Sequence, residues 1–599
     1  MVKATDTANP EYFHRVVDCQ YACPAHTPVP EYIRLIAAGR YTDAYMINWE
    51  SNVFPGILGR TCDRPCEPAC RRGRLDQEPV AICRLKRVAA DMKESVKARL
   101  PQPVQEKNGK RVALVGAGPA SLTVARDLLP LGYAIDIYDE QPAGGGFMRS
   151  QIPSFRLPEE VLDEEVGYIL DLGAVTHFNQ RVNSLKGLLA EQYDAVFIGS
   201  GAPQGRDLQL PGRAEADANI HLGINWLASV AFGHTESIGK RVIVLGGGNT
   251  AMDCCRTALR MGADEVKVVV RSPRPEMKAS PWEIEDAERE GVPMLQNHVP
   301  LEFVLEEGRL VGMRFDRVRP VYADDGRRTL VSLGEPPVLI ECDDVCVAIG
   351  QDTAFPWIER DIGIEFDQHD RPIVDKASFQ SSLGNVFFGG DAAFGPENII
   401  TAVAHGHQAA VSIDLLLRGQ DVNLRPPPGT NLISQKMGLQ EWTYDSAVAM
   451  DERYRVPHRD VAESLHNRKL EVELGFEAAS AFREAQRCLN CDVQTVFTET
   501  KCIECDACID ICPTDCLTFT PKAETEKELR QVTRVPARNL EQPLYVSDDL
   551  PTGRLMVKDE DVCLHCGLCA ERCPTAAWDM QKFLYHVTKA GEARAEEAV

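Results

Sequence analysis

Two stretches near the C-terminal end constrain this 599-residue chain more than any other feature. Cys502-IE-Cys505-DA-Cys508-IDI-Cys512-Pro513 and Cys563-LH-Cys566-GL-Cys569-AER-Cys573-Pro574 share one spacing, C-x2-C-x2-C-x3-C-P. Three thiolates so close together wrap one face of a four-iron cubane. The fourth, turned away at the proline, reaches the other cubane, so the two runs must fold against each other. The spacing therefore groups Cys502, Cys505, Cys508 and Cys573 around one [4Fe-4S] cluster, and Cys563, Cys566, Cys569 and Cys512 around a second. A pair of zinc sites would use paired C-x2-C units and gives no reason for a duplicated three-plus-one run ending in proline. The long spacer between Cys512 and Cys563 holds PKAETEKELRQVTRVPARN, which is charged and reads as an exposed insertion. Cys516, just past the first run, reads as a packed thiol.

The chain holds 21 cysteines in tight groups. It shows no apolar run of roughly 18 residues that would span a membrane. Its opening, MVKATDTANPEYFHR, lacks the apolar core of a secretion signal. Clustered thiols in a reducing, cytoplasmic setting read as metal ligands and not as a disulfide scaffold. The net charge of −24 argues against a nucleic-acid partner, which would call for a basic face.

Two nucleotide fingerprints precede the cysteine runs. RVALVGAG followed by PASLTVARDLLPLG is a strand, a glycine turn and a helix, giving Gly116-x-Gly118-x-x-Ser121. Its glycines permit a tight turn and close approach of the backbone to a pyrophosphate at a helix N-terminus. The next strand, YAIDIYDE, ends in Asp139 and Glu140, where an acid binds a ribose hydroxyl. RVIVLGGGNTAMDCCRTALRMGA repeats the pattern as Gly246-x-Gly248-x-x-Ala251, with Asn249 between. Its following strand ends in Arg271, with Arg274 and Lys278 beyond, a basic end that suits a 2′-phosphate and leans toward NADP(H) over NAD(H). NVFFGGDAAFGPENIITAVAHGHQAA has a strand, Gly389-Gly390-Asp391 and a helix. In two-dinucleotide flavoproteins such a segment returns to the first domain, and its Asp meets the flavin ribityl chain. Cys254, Cys255, Cys342 and Cys346 lie beside no other ligand types and read as core thiols, with a redox disulfide the alternative for each pair. His405 and His407 are expected in structural roles.

The order GAGPAS, GGGNTAMD and GGDAAFGPENIITAVAHG behind a cysteine-rich helical N-terminus resembles the small (beta) subunit of glutamate synthase and its relatives. These include the NADPH-binding halves of dihydropyrimidine dehydrogenase and the transhydrogenase NfnAB. FRLPEEVL at 155–162 and EIEDAEREGV at 283–292 add to it. The resemblance covers about residues 10–415 and implies two N-terminal [4Fe-4S] clusters, a bound FAD and a nicotinamide site. The family's N-terminal domain opens with a C-x2-C pair that is missing here; only Cys19-QYA-Cys23-Pro24 is present. EAASAFREAQRCLNCD, with Cys488 and Cys491, looks like that opening segment moved behind the flavin domain. The resemblance thus implies one cluster on Cys488, Cys491, Cys19 and Cys70, called cluster A. Cluster B would use Cys23, Cys62, Cys66 and a fourth ligand. Relatives place Gln or Glu where this chain has Lys86. Cys83 lies on the same helical face and offers a thiolate. Alternatives are an absent or three-iron cluster B, and a separate zinc or redox site at Cys488 and Cys491.

The expected fold is multidomain α/β. A helical iron–sulfur domain (1–100) precedes an FAD domain (101–202 and 365–425) into which an NAD(P) domain (203–364) is inserted, the pair of glutathione-reductase type. A return arm (426–495), entered through LRPPPG, leads to an α+β ferredoxin-like domain (496–599) with a frayed tail. The expected function is hydride exchange between NAD(P)H and FAD, coupled to one-electron transfer along four clusters. No acid or base side chain is needed, because the cofactors carry the chemistry. The fused ferredoxin resembles the flavoprotein subunits of 2-oxoacid:ferredoxin oxidoreductase complexes, which reduce NAD(P)+. The alternatives are a glutamate synthase beta-like subunit fed by NADPH, free ferredoxin as partner, and an electron-carrying adaptor without hydride turnover. Bifurcation would call for a second flavin, for which there is no third site.

Overall fold

The computed structural model describes residues 2–592 apart from 8, 76, 77, 424, 426, 427, 435–448, 450 and 538. Leu424, Pro426 and Pro427 of the expected exit, and the tail from 593 onward, lie outside the described residues. The chain divides into two compact units. One comprises Met1–Arg99, Leu424–Val456 and Gly475–Val599; the other comprises Leu100–Asn423 and Pro457–Leu474.

The second unit carries both fingerprints. Its first sheet is parallel, ordered Val386–Phe388, Ala195–Ile198, Arg111–Val115, Ala134–Tyr138 and Val175–His177. Four of these strands come from before the insertion and one from after it, so the edge strand Val386–Phe388 closes the first domain. The second sheet, ordered Ile220–Leu222, Asp344–Val347, Arg241–Leu245, Glu265–Val269 and Met294–Leu295, is also parallel. The central strands are buried on both faces, which is why RVALV and RVIVL read as continuous apolar runs and not as alternating ones. An antiparallel sheet of His298–Glu306, Arg309–Tyr322, Arg328–Ser332 and Val338–Glu341 is appended. The pairing of Gln204–Gly205 with Gln351–Asp352 joins the outgoing and returning crossings.

FRLPEEVL and EIEDAEREGV meet in this unit. Arg156 binds Asp253 at 2.6 and 2.7 Å and Glu283 at 2.5 Å. Asp253 lies on the helix Asn249–Arg260 that follows the second fingerprint. One largely covered cation thus ties three sequence motifs to one point, and burial of these acids is offset by pairing.

In the first unit, seven helices between Pro10 and Asp91 precede the arm. The arm contributes the helix Ala478–Ala485 and two strands. Gly429–Ser434 and Val493–Phe497 both pair antiparallel with Trp578–His586. The arm is therefore woven into the ferredoxin-like part, because its edges supply the hydrogen bonds that Trp578–His586 would otherwise leave open. A second sheet pairs Leu517–Pro521 and Tyr545–Val546 with Arg554–Lys558. The spacer expected to be an exposed insertion folds in part. Thr525 and Glu528 form a capping box on the helix Glu526–Val532, whose Leu529 is buried against Leu544, Val546, Leu555 and Val557.

The arm is held by charge. Arg34 grips Asp492 through two contacts of 2.6 Å. Glu484 and Arg487, both fully buried, pair at 2.9 Å, while Glu484 also accepts the backbone N–H groups of Ala81 and Tyr454. Arg487 donates in turn to the carbonyls of Glu78 and Pro79. Removing one partner of such a pair strands the other charge in a dry interior. We expect Arg487→Ala to cost on the order of 3–5 kcal/mol, read as a lower urea midpoint. The double change Glu484→Leu with Arg487→Met should recover part of that loss.

Candidate functional site

The first fingerprint opens onto a cleft lined by Gly116, Gly118, Asp139, Glu140, Phe147, Gly390 and Asp391 among others. Gly116 has φ +94°, and a side chain there would meet the Gly199 carbonyl at 2.6 Å. Only glycine satisfies both the angle and the contact. Gly118 begins the helix Pro119–Leu128. A Cβ on Gly118 would have no neighbour closer than 3.9 Å, so the space over the helix N-terminus is open to a phosphate. Ser121 is buried against Gly199 away from the cleft lining, so it spaces helix from strand. Asp139 accepts from the Ala117 N–H at 2.6 Å and the Gln141 N–H at 2.8 Å, which leaves lone pairs on both oxygens for a ribose. Burial raises its pKa against those two hydrogen bonds. Asp391 stands at the other wall, pushed up to about 6 by burial.

His405 packs between Phe379 and Phe394, at centroid distances of 4.9 and 5.4 Å. His407 pairs with Asp127 at 2.5 Å. Burial would raise Asp127, but His407 and Arg126 hold it down at about 2.

At the second fingerprint, Gly246 has φ +136°, and a side chain there would collide with the Ala348 carbonyl. Gly248 begins the helix Asn249–Arg260, with nothing near its missing Cβ. Asn249 accepts from the Ser280 N–H at 2.8 Å, and Ala251 is buried. Arg271 is exposed two residues beyond the strand Glu265–Val269. Arg274 is engaged by Glu288. Arg328, which the sequence reading did not single out, reaches the same region from the appended sheet and binds Ser272 at 2.7 Å and Glu276.

All 21 cysteines are free thiols, and the ones proposed as ligands gather in four sets. Cys19, Cys70, Cys488 and Cys491 line one small cavity with Val29, Ile33 and Ile82. Burial raises all four thiols, Cys488 to about 12, and Cys70, Cys488 and Cys491 add their repulsion at Cys19. Cys502, Cys505, Cys508 and Cys573 line another cavity walled by Phe497, Phe519 and Trp578. Cys512 and Cys563 both act electrostatically on Cys566, and Cys563 and Cys566 on Cys569. The Cys516 thiol, expected as core packing, lies 3.4 Å from Cys512. Its hydrogen bonds hold Cys512 down at about 5 and lower Cys563.

One backbone device recurs in all four sets. Two residues beyond the leading cysteine, a non-glycine residue takes positive φ: Arg64 after Cys62, Asn490 after Cys488, Glu504 after Cys502, and His565 after Cys563. In each case its N–H is turned back on the leading sulfur, at 3.4, 3.3 and 3.4 Å for Cys62, Cys502 and Cys563. That conformation costs an L-residue of order 1 kcal/mol. Donors aimed at sulfur favour thiolate, and a buried thiolate is stable only beside a cation. Sets of four thiols with such donors fit iron–sulfur clusters.

The ground expected to supply the fourth ligand beside Cys23, Cys62 and Cys66 is crowded. Lys86 is buried with Cys62, Cys83, Cys66 and Cys23 all acting on its ammonium, which raises its pKa against burial. Cys83 shares that ground, and its thiol lies 3.3 and 3.4 Å from the Leu58 and Gly59 carbonyls. Cys254, Cys255, Cys342 and Cys346 lie apart from these sets. Cys254 faces Cys346 across two elements, a pairing that sequence adjacency did not reveal, and both belong to one apolar core. Cys255 donates to Met252, and Cys342 packs in the neighbouring core.

Three families match consecutive parts of the chain. Pyridine nucleotide-disulphide oxidoreductase covers residues 110–406. Dihydropyrimidine dehydrogenase domain II, 4Fe-4S cluster, covers 12–98, and 4Fe-4S dicluster domain covers 501–577. The NADP(+)-dependent formate dehydrogenase subunit beta of Moorella thermoacetica is 36% identical over 501 residues, 79% of this chain and 70% of that one. The NADPH-Fe(3+) oxidoreductase subunit beta of Geobacter sulfurreducens is 32% identical over 532 residues, 81% and 77% of the two chains. The glutamate synthase [NADPH] small chain of Escherichia coli is 32% identical over 420 residues, 66% and 87%. Among the described residues, no helix is long and apolar enough to cross a membrane.

Two outcomes follow from this geometry. An acid whose folded pKa is raised binds more protons folded than unfolded, so it lowers stability as pH climbs from its unfolded value toward about 6. Asp391→Asn should therefore raise the thermal midpoint of the apoprotein at pH 7, and the gain should vanish once the pH falls well below the unfolded carboxyl pKa. Cys83→Ser should remove about four iron atoms per chain if Cys83 is the fourth ligand of a [4Fe-4S] cluster. An unchanged iron count would transfer that place to another donor.

Proposed function

The chain belongs to the family of flavin- and NADP-linked iron–sulfur oxidoreductases that includes the glutamate synthase small chain, and from that premise we propose the division of labour among its parts. The second unit exchanges hydride with NADP(H), and the first unit exchanges single electrons with a catalytic subunit of a larger complex. The observation that carries this reading is the segregation itself. Both dinucleotide fingerprints share one unit, and the four thiol sets share the other.

Gly116 and Gly118 would take the FAD pyrophosphate at the N-terminus of Pro119–Leu128, Asp139 its ribose, and Gly390 with Asp391 its ribityl side. Gly246, Gly248, Asn249 and Ala251 would shape the nicotinamide nucleotide turn, with Arg271 meeting the 2′-phosphate. Arg274 is already paired with Glu288, so Arg271 carries the larger share of that discrimination. When bound, FAD supplies the conversion between two-electron and one-electron chemistry. The protein holds its reactants in place and needs no general acid or base.

The partner we propose oxidises a small carboxylate with release of CO2 and two electrons. The fused ferredoxin suggested a 2-oxoacid, and the formate dehydrogenase beta subunit supports formate as a second substrate of the same chemistry. A glutamate synthase-type partner is less favoured. The small chains align with 66% of this chain and leave a third of it without a counterpart.

Anaerobic mixing of the reconstituted full-length protein with NADPH should bleach the flavin band. If neither NADPH nor NADH does so, hydride exchange is lost and the electron-carrying adaptor remains. Arg271→Ala should raise KM for NADPH about tenfold or more, the loss of one charge-assisted hydrogen bond, while KM for NADH stays near its original value.

A further inference from the structure

Two ligands of the Cys19, Cys70, Cys488 and Cys491 set are followed closely by contacts to the second ferredoxin-type run. Arg71 comes directly after Cys70 and is 2% exposed. Its guanidinium donates to the carbonyls of Glu560 and Cys563, the latter at 2.9 Å, and to that of Val16 at 3.1 Å. Its Nε donates to Asp18, the residue before Cys19, at 2.6 Å. From the other side, His565 lies between Cys563 and Cys566, fully buried. Its ring sits 3.5 Å from Glu560 and faces the backbone of Val493, two residues beyond Cys491.

The ground between these sets is rich in charge, buried at Arg71, Lys558, Glu560 and Asp561 and partly exposed at Arg74 and Asp18. Arg71, Arg74 and Lys558 stand against Asp18, Glu560 and Asp561. Lys558 also donates to the Thr495 carbonyl and hydroxyl at 2.8 and 2.9 Å. So many charges in a dry interior need pairing and a net field to face. Thiolate-ligated clusters are anionic, so cations between two of them offset the repulsion that each added electron creates. The Cys502 set differs. It lines its own aromatic-walled cavity, and Cys505 and Ile503, the latter 61% exposed, bring it to the surface.

We propose that Arg71 is the positioning residue that couples cluster A to the Cys563 cluster. A single electron passes between these two centres, and the Cys502 cluster is the outlet toward the partner. One centre loses the electron that the other gains; no bond breaks and no proton moves. The inference rests on the preceding reading that these thiol sets hold clusters.

The test uses the full-length protein reconstituted with iron and sulfide and reduced with dithionite, so that nicotinamide binding plays no part. Electron paramagnetic resonance should show the cluster A signal broadened by a neighbouring centre. Cys505→Ser alters the signal of the Cys502 cluster itself and should leave that broadening untouched. Broadening that changes with the Cys502 cluster would overturn the pairing. Absence of a cluster A signal would overturn the cluster reading and the pairing with it.

Arg71→Gln should retain the iron count and the rate of flavin bleaching by NADPH. It should slow reduction of the ferredoxin-type clusters tenfold or more in freeze-quench samples, with Arg71→Lys recovering part of the rate. An unchanged rate would overturn the role of Arg71. If Arg71→Gln loses iron, the broadening compared between the unaltered protein and Cys505→Ser still decides between the two pairings.

Discussion

A thiolate has no stable place in an apolar interior unless positive charge lies beside it. This constraint governs the first unit. Its helices are short, its loops carry left-handed residues that an ordinary chain avoids, and backbone N–H groups are turned onto sulfur at Cys62, Cys488, Cys502 and Cys563. Strain of this kind survives only where the surroundings hold it. Here those surroundings are paired charges such as Arg34 with Asp492 and Glu484 with Arg487.

The arm shows how the constraint shapes topology. Cys488 and Cys491 are more than 400 residues from Cys70, yet they line the same cavity. Bringing them there costs loop entropy that grows only slowly with length. Glu484, Arg487 and Asp492 offset that cost at the cavity, and the strands Gly429–Ser434 and Val493–Phe497 secure the arm to Trp578–His586. In the second unit the demand is different. Glycine turns and helix N-termini are local features, and one long-range tie is the largely covered Arg156 with two acids.

Local chemistry was legible in the residues. Gly116 and Gly246 announce turns that a side chain would block, and the structure places carbonyls where those side chains would be. The two C-x2-C-x2-C-x3-C-P runs announce their own interleaving, and the residues in equivalent positions of both adopt the same left-handed turns. Roles that depend on the far side of a contact were not legible. Ser121 occupies a fingerprint position but packs against Gly199. Cys516 looked like a core thiol but bonds to Cys512 and Cys563. Cys254 meets Cys346 and not its neighbour in sequence. Arg328 reaches Ser272, beyond the second fingerprint's following strand, from a sheet that no motif marks.

The sequence alone determined the family, the α/β class, the two dinucleotide turns and the two ferredoxin-type cysteine runs. Each rests on spacing within one or two turns of chain, where covalent geometry leaves few choices. Tertiary structure decided which distant groups share a site. It placed Lys86 among Cys23, Cys62, Cys66 and Cys83, engaged Arg274 with Glu288 while Arg271 stays exposed, and laid Arg71 across to the Cys563 carbonyl. Those outcomes follow from where buried charge finds a partner, and a linear spacing carries no record of that.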